Sequence, residues 1–119
     1  MPNAKFVPFD SVEHQERRPG VVLSSLVDGD AGATQISSGV AEFAIGASAP
    51  MHYHDAEESV IVVEGEGLMV IDGQEHIVHP NDAAFISPGA HHSIANHGNQ
   101  PFKVSWTYAS INWSTTPVK

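Results

Sequence analysis

The chain has 119 residues, with 14 acidic against 5 basic side chains and a formal net charge of −9. One domain with a single core fits this length, and the acidic balance argues against binding nucleic acid or an anionic membrane surface, since both bind clusters of Lys and Arg. The absence of Cys excludes disulfides, thiolate nucleophiles and Cys-based metal sites, whereas the eight His outnumber Lys and Arg together.

In chain order, residues 1–20 are predicted to form an N-terminal arm, residues 21–112 a barrel, and residues 113–119 a peripheral C-terminal tail. Ten Gly and eight Pro separate short segments rich in Val, Ile and Phe, and no apolar pattern of helical period extends over three turns. This punctuation is typical of an all-β sandwich or barrel. The predicted strands cover residues 21–27, 35–37, 40–45, 59–64, 68–71, 75–78, 83–86, 92–95 and 102–110.

The clearest turn in this series is Asp72-Gly73, which separates two short apolar segments. Asp-Gly favours a two-residue hairpin turn because Gly adopts positive φ at little cost. Phe43 and Phe85 lie within predicted strands and are expected in the core. Trp106 and Tyr108 share one face of the last long strand and are expected to be core residues, with walls of a pocket as the alternative.

Two histidines two residues apart, His52 and His54, are the first chemical signal in the chain. On an extended chain they point to the same side, and Glu58 has the same parity if the chain stays extended. Two imidazoles and a carboxylate suit first-row divalent metals. A His-x-His pair is also common on protein surfaces, however, and on spacing alone Glu57 competes with Glu58.

A further ligand is expected from His91 or His92. Adjacent residues of a strand face opposite ways, so one of the two points inward. The spacing itself does not decide which.

These segments resemble the cupin superfamily. The first cupin motif is matched at every spacing by Gly46, His52, His54, Glu58 and Gly65. The second motif falls on Asn81, Ser87, Gly89, His92 and Asn96, with Asn81 in place of the usual Gly and Ser87 in place of the usual Pro. Neither departure removes a ligand, and Asn tolerates left-handed backbone better than most residues. The resemblance selects Glu58 over Glu57 and His92 over His91.

The resemblance implies a double-stranded β-helix or jelly-roll barrel with a ligand site in its open mouth. It also implies one divalent metal ion, with Fe or Mn favoured and Ni or Zn possible, bound by His52, His54, Glu58 and His92. Such a site implies isomerase, lyase or decarboxylase chemistry, or dioxygenase chemistry, on a small neutral molecule or a monocarboxylate. A non-enzymatic module that binds or senses a small ligand, with the metal as anchor, is the alternative.

Two expectations concern the setting of the protein. The first residues lack an apolar signal-peptide core and no segment is apolar enough to span a membrane, so we expect a soluble cytoplasmic protein. A homodimer is expected by resemblance, because exposed sheet edges need covering and residues 1–20 are suited to pair across a two-fold axis.

Overall fold

The computed structural model describes residues 2–119, so that Met1, the first residue of the predicted arm, lies outside the described residues. The described chain is built from β-strands with two short 3-10 turns, Phe9–Ser11 and Gly29–Ala31. In chain order the strands are β1 (His14–Arg18), β2 (Val21–Val27), β3 (Ser37–Phe43), β4 (Ser48–His54), β5 (Glu58–Glu64), β6 (Gly67–Ile71), β7 (Gln74–Val78), β8 (Ala83–Ile86), β9 (His92–Asn96), β10 (Phe102–Tyr108) and β11 (Thr115–Pro117).

The strands form two antiparallel sheets, which confirms the all-β prediction. One sheet has the order β1-β2-β3-β10-β5-β8 and the other the order β11-β4-β9-β6-β7. Consecutive strands β4 and β5 belong to different sheets, so the short turn between them carries the chain from one sheet to the other. This crossing brings residues of both sheets to the same end of the interior.

Strand β4 was not among the predicted strands, and its sequence explains why. Pro50 cannot donate a ladder hydrogen bond, and such residues are confined to edges and bulges of sheets. Here Pro50 lies in the irregular register between Ala49 and His52, where β4 pairs with β9. Strand β4 therefore tolerates Pro50, although proline normally argues against a strand.

The core lies between the sheets and follows the two-residue alternation of the strands. On β10, Phe102, Val104 and Trp106 are all buried while the residues between them are partly exposed. Full burial of a side chain such as Phe102 contributes roughly 2–3 kcal/mol to stability. The expectation for Phe43 is confirmed, since it is 3% exposed. The expectation for Phe85 is wrong: β8 presents Phe85 outward, 64% exposed, and buries its neighbour Ile86 instead.

Two turns have the backbone that the sequence predicts. Asp72 and Gly73 both have positive φ, 52° and 77°, as a type I′ hairpin turn between β6 and β7 requires. Asn81 has φ of 78°, so it adopts the left-handed conformation for which Gly is the usual residue. The substitution at this corner is therefore accommodated.

Both flanking segments contribute a strand to the sheets. Within the predicted arm, β1 pairs with β2. Within residues 113–119, expected as a peripheral tail, β11 pairs with β4. Across residues 2–119, no helix has the length and hydropathy needed to cross a membrane.

Candidate metal centre

Four side chains from three strands converge in the interior, and we call them the four-residue cluster: His52, His54, Glu58 and His92. His52 and His54 lie at the end of β4, and His92, the first residue of β9, pairs directly with His52. Glu58 is the first residue of β5, in the opposite sheet. The exposed fractions of His54, Glu58 and His92 are 4%, 7% and 2%.

The distances within the four-residue cluster are those of a compact site. The candidate ligand atoms of the three histidines all lie within 4.8 Å of one another. The Oε1 atom of Glu58 lies 3.5 Å from Nε2 of His54 and 3.6 Å from Nε2 of His92. Metal–ligand bonds of about 2.1 Å separate neighbouring ligand atoms by about 3–3.5 Å. One small ion fits between these atoms.

The other ring nitrogen of each histidine is held by a backbone carbonyl. Nδ1 lies 2.7 Å from the Pro50 oxygen in His52 and 2.9 Å from the Ala90 oxygen in His92. In His54, Nδ1 lies 3.2 Å from the carbonyl oxygen of Ser114. A carbonyl only accepts hydrogen bonds, so each Nδ1 carries the proton and each neutral ring presents the lone pair of Nε2. This is how metal-binding histidines are oriented in proteins.

Burial keeps two of these rings neutral. Burial is the main cause that lowers the pKa of His52, to about 4. Burial also lowers the pKa of His54, and the carboxylate of Glu58 opposes this effect. Neutral imidazoles are the form that binds metals, so both rings are ready ligands at neutral pH.

Glu58 supplies the test of whether a cation fits. Among the described residues, its Oε1 atom is buried without any hydrogen-bond partner. An orphaned buried carboxylate oxygen costs several kcal/mol, by order of magnitude, unless a charge compensates it. This oxygen faces the Nε2 lone pairs of His54 and His92, and the negative carboxylate and the lone pairs repel one another. A cation between these atoms turns the repulsion into attraction. The donor set therefore fits a divalent metal.

The structure brings Glu58 to the histidines for a reason other than strand parity. Residues 55–57 form a turn, so the chain does not stay extended from His54 to Glu58. Glu58 reaches the site because β5 faces β4 across the interior. Glu57 and His91, the competing candidates, are exposed, and the ring of His91 stacks on Tyr53 at 5.2 Å.

A cavity of about 420 Å³ opens from the four-residue cluster. Trp106, Tyr108 and Trp113 line one side of it, so the two residues of β10 are both buried and part of the pocket wall. Trp113 stacks on Tyr108 with ring centroids 4.1 Å apart, and both rings meet His54 edge-on. Gly39 makes room for this wall, because a Cβ there would lie 2.6 Å from Cζ2 of Trp106.

Two groups of residues that line this cavity were not predicted from the sequence. Arg17 and Arg18 of β1 lie along it. Trp113 and Thr115 come from the segment expected as a peripheral tail, and Oγ1 of Thr115 lies 3.1 Å from Nδ1 of His54. A single Trp in an otherwise polar terminal segment was the available signal for Trp113, whereas exposed arginines give none.

Backbone contacts hold the loops around the site. The N–H of Gly89 donates to the carbonyl of His54 at 2.9 Å, which ties the loop before β9 to the end of β4. The Nδ2 of Asn96 donates to the carbonyls of Phe43 and Gln100, and its Oδ1 accepts from Gly98. Asn96 therefore fixes the loop after β9.

Comparison with known proteins identifies the family. The family model described as "Cupin domain" matches residues 39–108, which is more than half of the chain. The chain is 30% identical over 99 residues to the tetracenomycin polyketide synthase protein TcmJ of Streptomyces glaucescens, covering 82% of this chain and 66% of that protein. It is 36% identical over 61 residues to the uncharacterized protein MJ1618 of Methanocaldococcus jannaschii, covering 50% of this chain and 49% of that protein. The chain thus spans about half to two thirds of these relatives.

A solved structure shows the same fold. The polyketide cyclase RemF from Streptomyces resistomycificus superimposes with a TM-score of 0.84 at 24% identity, covering 98% of this chain and 87% of that one. At this identity the likeness concerns the fold alone. It confirms the predicted jelly-roll barrel.

Proposed function

The chain belongs to the cupin family, and we propose that it is a metal-dependent enzyme that acts on a small molecule. In this proposal the four-residue cluster binds one divalent metal ion, Fe or Mn first, with Ni and Zn as the alternatives. The observation that carries the proposal is the buried Oε1 of Glu58, which has no hydrogen-bond partner among the described residues and faces two Nε2 atoms.

The donor set favours a catalytic ion. Four protein ligands on an octahedral ion leave two positions open, whereas structural ions are fully enclosed by protein. Three neutral imidazoles and one carboxylate leave a divalent ion with a net charge near +1. An ion held in this way supplies Lewis acidity toward a carbonyl, enediol or carboxylate oxygen. We therefore favour isomerase, lyase or decarboxylase-type chemistry, with dioxygenase chemistry as the alternative.

The cavity limits the substrate. A volume of about 420 Å³ suits a small molecule rather than a polymer. The cavity wall of Trp106, Tyr108 and Trp113 offers aromatic surface on which a planar group of the substrate can stack. The similarity to two polyketide proteins favours a planar substrate that bears oxygen atoms. Arg17 and Arg18, which line the same cavity, suit one carboxylate. A small neutral molecule or a monocarboxylate fits these features.

Metal content is the first test. The purified protein is stripped with chelator, refilled separately with Fe²⁺, Mn²⁺, Ni²⁺ or Zn²⁺, and analysed for metal by mass spectrometry. We expect one ion per chain for the preferred metal. Glu58→Gln should lose most of it, whereas Glu57→Gln, which changes an exposed carboxylate next in sequence, should retain it. A wild-type chain that retains no stoichiometric metal would overturn the proposal.

Turnover is the second test. The metal-loaded protein is incubated with small keto, enol and carboxylate compounds, and products and dissolved oxygen are followed together. Product without oxygen consumption supports Lewis-acid chemistry, and matching oxygen consumption indicates a dioxygenase. A compound that binds and is recovered unchanged indicates instead a non-enzymatic binding module.

A homodimer is a further part of the proposal. Ile61 and Val63 of β5 and Phe85 of β8 are 45%, 49% and 64% exposed, on the outer side of neighbouring strands. The arm crosses the same side, because Lys103 of β10 lies over the ring of Phe9 at 5.3 Å. A second copy would cover this apolar surface.

Light scattering at several concentrations tests the dimer. Ile61→Glu should shift the protein toward the monomer mass. Ile45→Glu changes an exposed isoleucine outside this surface and should leave the mass unchanged. A wild-type protein that is monomeric at all concentrations contradicts the dimer.

A further inference from the structure

Tyr108 places a hydroxyl group inside the candidate metal centre. It is the last residue of β10, 5% exposed, and it pairs directly with Glu58 across the β5–β10 ladder. Side chains of directly paired residues lie on the same face of a sheet, within contact of each other. The hydroxyl lies 3.1 Å from Nε2 of His54. Since Nδ1 of His54 carries the ring proton, the Tyr108 O–H donates and Nε2 accepts.

A metal ion and the phenol compete for the same lone pair. Nε2 of His54 is the atom that the proposed function assigns to the metal, and one lone pair serves one partner. The nearby Oε1 of Glu58 faces the same position and would also be taken by the ion. Metal binding therefore takes from the Tyr108 O–H the acceptor that it has in Nε2 of His54.

Neighbouring rings hold the phenol in the site when this happens. Trp113 stacks on it at 4.1 Å, Trp106 packs against it at 5.4 Å, and His54 meets its face edge-on at 5.0 Å. A buried hydroxyl without an acceptor costs about 1–3 kcal/mol, so a new acceptor is strongly favoured. A phenol has an ordinary pKa of about 10, so the group is a neutral donor at neutral pH.

We propose that Tyr108 is a ligand-binding residue, whose O–H passes from Nε2 of His54 to an oxygen atom of the ligand once the metal is bound. This inference rests on the proposed function, because it takes His54 as a metal ligand. The hydrogen bond from a buried neutral donor strengthens as the acceptor oxygen gains negative charge. Tyr108 therefore selects ligands that bear a carboxylate, keto or enolate oxygen next to the open coordination positions.

The chain offers a matched control for the test. It contains two tyrosines, and the second, Tyr53, stacks on His91 away from the four-residue cluster. The variants are Tyr108→Phe and Tyr53→Phe. Each is loaded with Co²⁺, whose visible spectrum reports the coordination, and titrated with acetohydroxamate as a probe with two oxygen donors. Near-ultraviolet circular dichroism checks that both variants fold.

The inference predicts opposite effects on the two affinities. Tyr108→Phe should bind Co²⁺ at least as tightly as the wild type, because a competing hydrogen bond is gone. Its Kd for acetohydroxamate should rise about fivefold to tenfold, the usual range for one buried hydrogen bond. Tyr53→Phe should match the wild type in both.

Other outcomes overturn either this inference alone or the proposed function together with it. An unchanged acetohydroxamate Kd in Tyr108→Phe overturns this inference alone. If Tyr108→Phe binds Co²⁺ more weakly and acetohydroxamate equally well, the hydroxyl positions the metal ligand Glu58 instead of binding the probe. That result also overturns this inference. A wild-type protein that binds no Co²⁺ overturns the proposed function, and this inference with it.

A second measurement covers the case in which Tyr108→Phe does not fold. The wild-type chain is labelled with 3-fluorotyrosine and loaded with Zn²⁺, and its two ¹⁹F resonances are followed. The Tyr108 signal should shift on metal addition and again on acetohydroxamate addition, while the Tyr53 signal stays in place. A Tyr108 resonance that does not shift when acetohydroxamate is added overturns the inference.

Discussion

The carboxylate of Asp55 accepts a hydrogen bond from the backbone N–H of Ser114 at 2.8 Å, between residues 59 positions apart. The carbonyl oxygen of the same Ser114 accepts from Nδ1 of His54 at 3.2 Å. Asp55 therefore holds the chain segment that orients a candidate metal ligand. The bond also lowers the pKa of Asp55, because the N–H favours the ionised carboxylate.

The first prediction follows from this arrangement. Asp55→Ala removes the acceptor and loosens the segment that carries Ser114, so His54 is less well oriented. Loss of such an outer contact typically weakens metal affinity about tenfold or more. Isothermal titration with the preferred metal measures it. Asp55→Asn keeps an acceptor oxygen and should lose less metal affinity than Asp55→Ala. Equal metal affinities of the wild type and both variants would show that Asp55 does not help to orient His54.

The second prediction concerns acid. The pKa of His52 is about 4 in the folded chain against an ordinary value of 6.5, and that of His54 is also lowered. Between these pH values the unfolded chain binds more protons than the folded one. The contribution of these two rings to the stability of the metal-free protein is therefore complete above pH 6.5, and it is lost as the pH falls toward 4.

Urea unfolding of the metal-free protein between pH 7 and pH 4.5 measures this effect. The comparison is with His52→Asn, which lacks the titrating ring, so that the other groups cancel. The free energy of unfolding of the wild type should fall more steeply with acid than that of the variant. Parallel pH profiles would show that His52 is not buried as a neutral group.

The third prediction tests the close packing behind the aromatic wall. A Cβ at Gly39 would overlap the backbone oxygen of Ser24 and lie 2.6 Å from Trp106. Gly39→Ala should therefore destabilise the fold by about 2 kcal/mol or more, the range seen when a packed core is overfilled. Gly29→Ala, at a position with no atom within 4 Å of the added Cβ, is the control for urea unfolding. Equal stability of the two variants would contradict the packing.

The fourth prediction separates fold from site. Asn96 is 8% exposed and makes three hydrogen bonds, to Phe43, Gln100 and Gly98. Asn96→Ala leaves these buried and partly buried backbone groups without their partner and should cost about 3 kcal/mol of stability. Metal stoichiometry of the folded variant should stay at the wild-type value. Asn99→Ala, at an exposed position in the same loop, should change neither quantity.

Local pattern in the sequence determined the all-β class, the Asp72-Gly73 hairpin and most strand positions. These features depend on residues close in sequence: alternation of side chains and the backbone freedom of a few turn residues. The same local information placed Phe85 in the core, because alternation does not say which face of an edge strand is covered. It also missed β4, whose Pro50 is tolerated only at a bulge.

The cluster was reached from the sequence by motif spacing, and its geometry was decided by the tertiary structure. Parity along one extended chain predicts Glu58 on the same side of the chain as His54, but a turn intervenes and Glu58 arrives from the opposite sheet.

What the sequence alone determined, then, is the class of fold and the identity of four polar residues with ligand chemistry. The tertiary structure alone decided that residues 113–115 cover the site, that Arg17 and Arg18 line its cavity, and that the Tyr108 hydroxyl enters it. The physical reason is that these contacts join segments distant along the chain, and no periodicity within a segment records which segments meet when two sheets pack face to face.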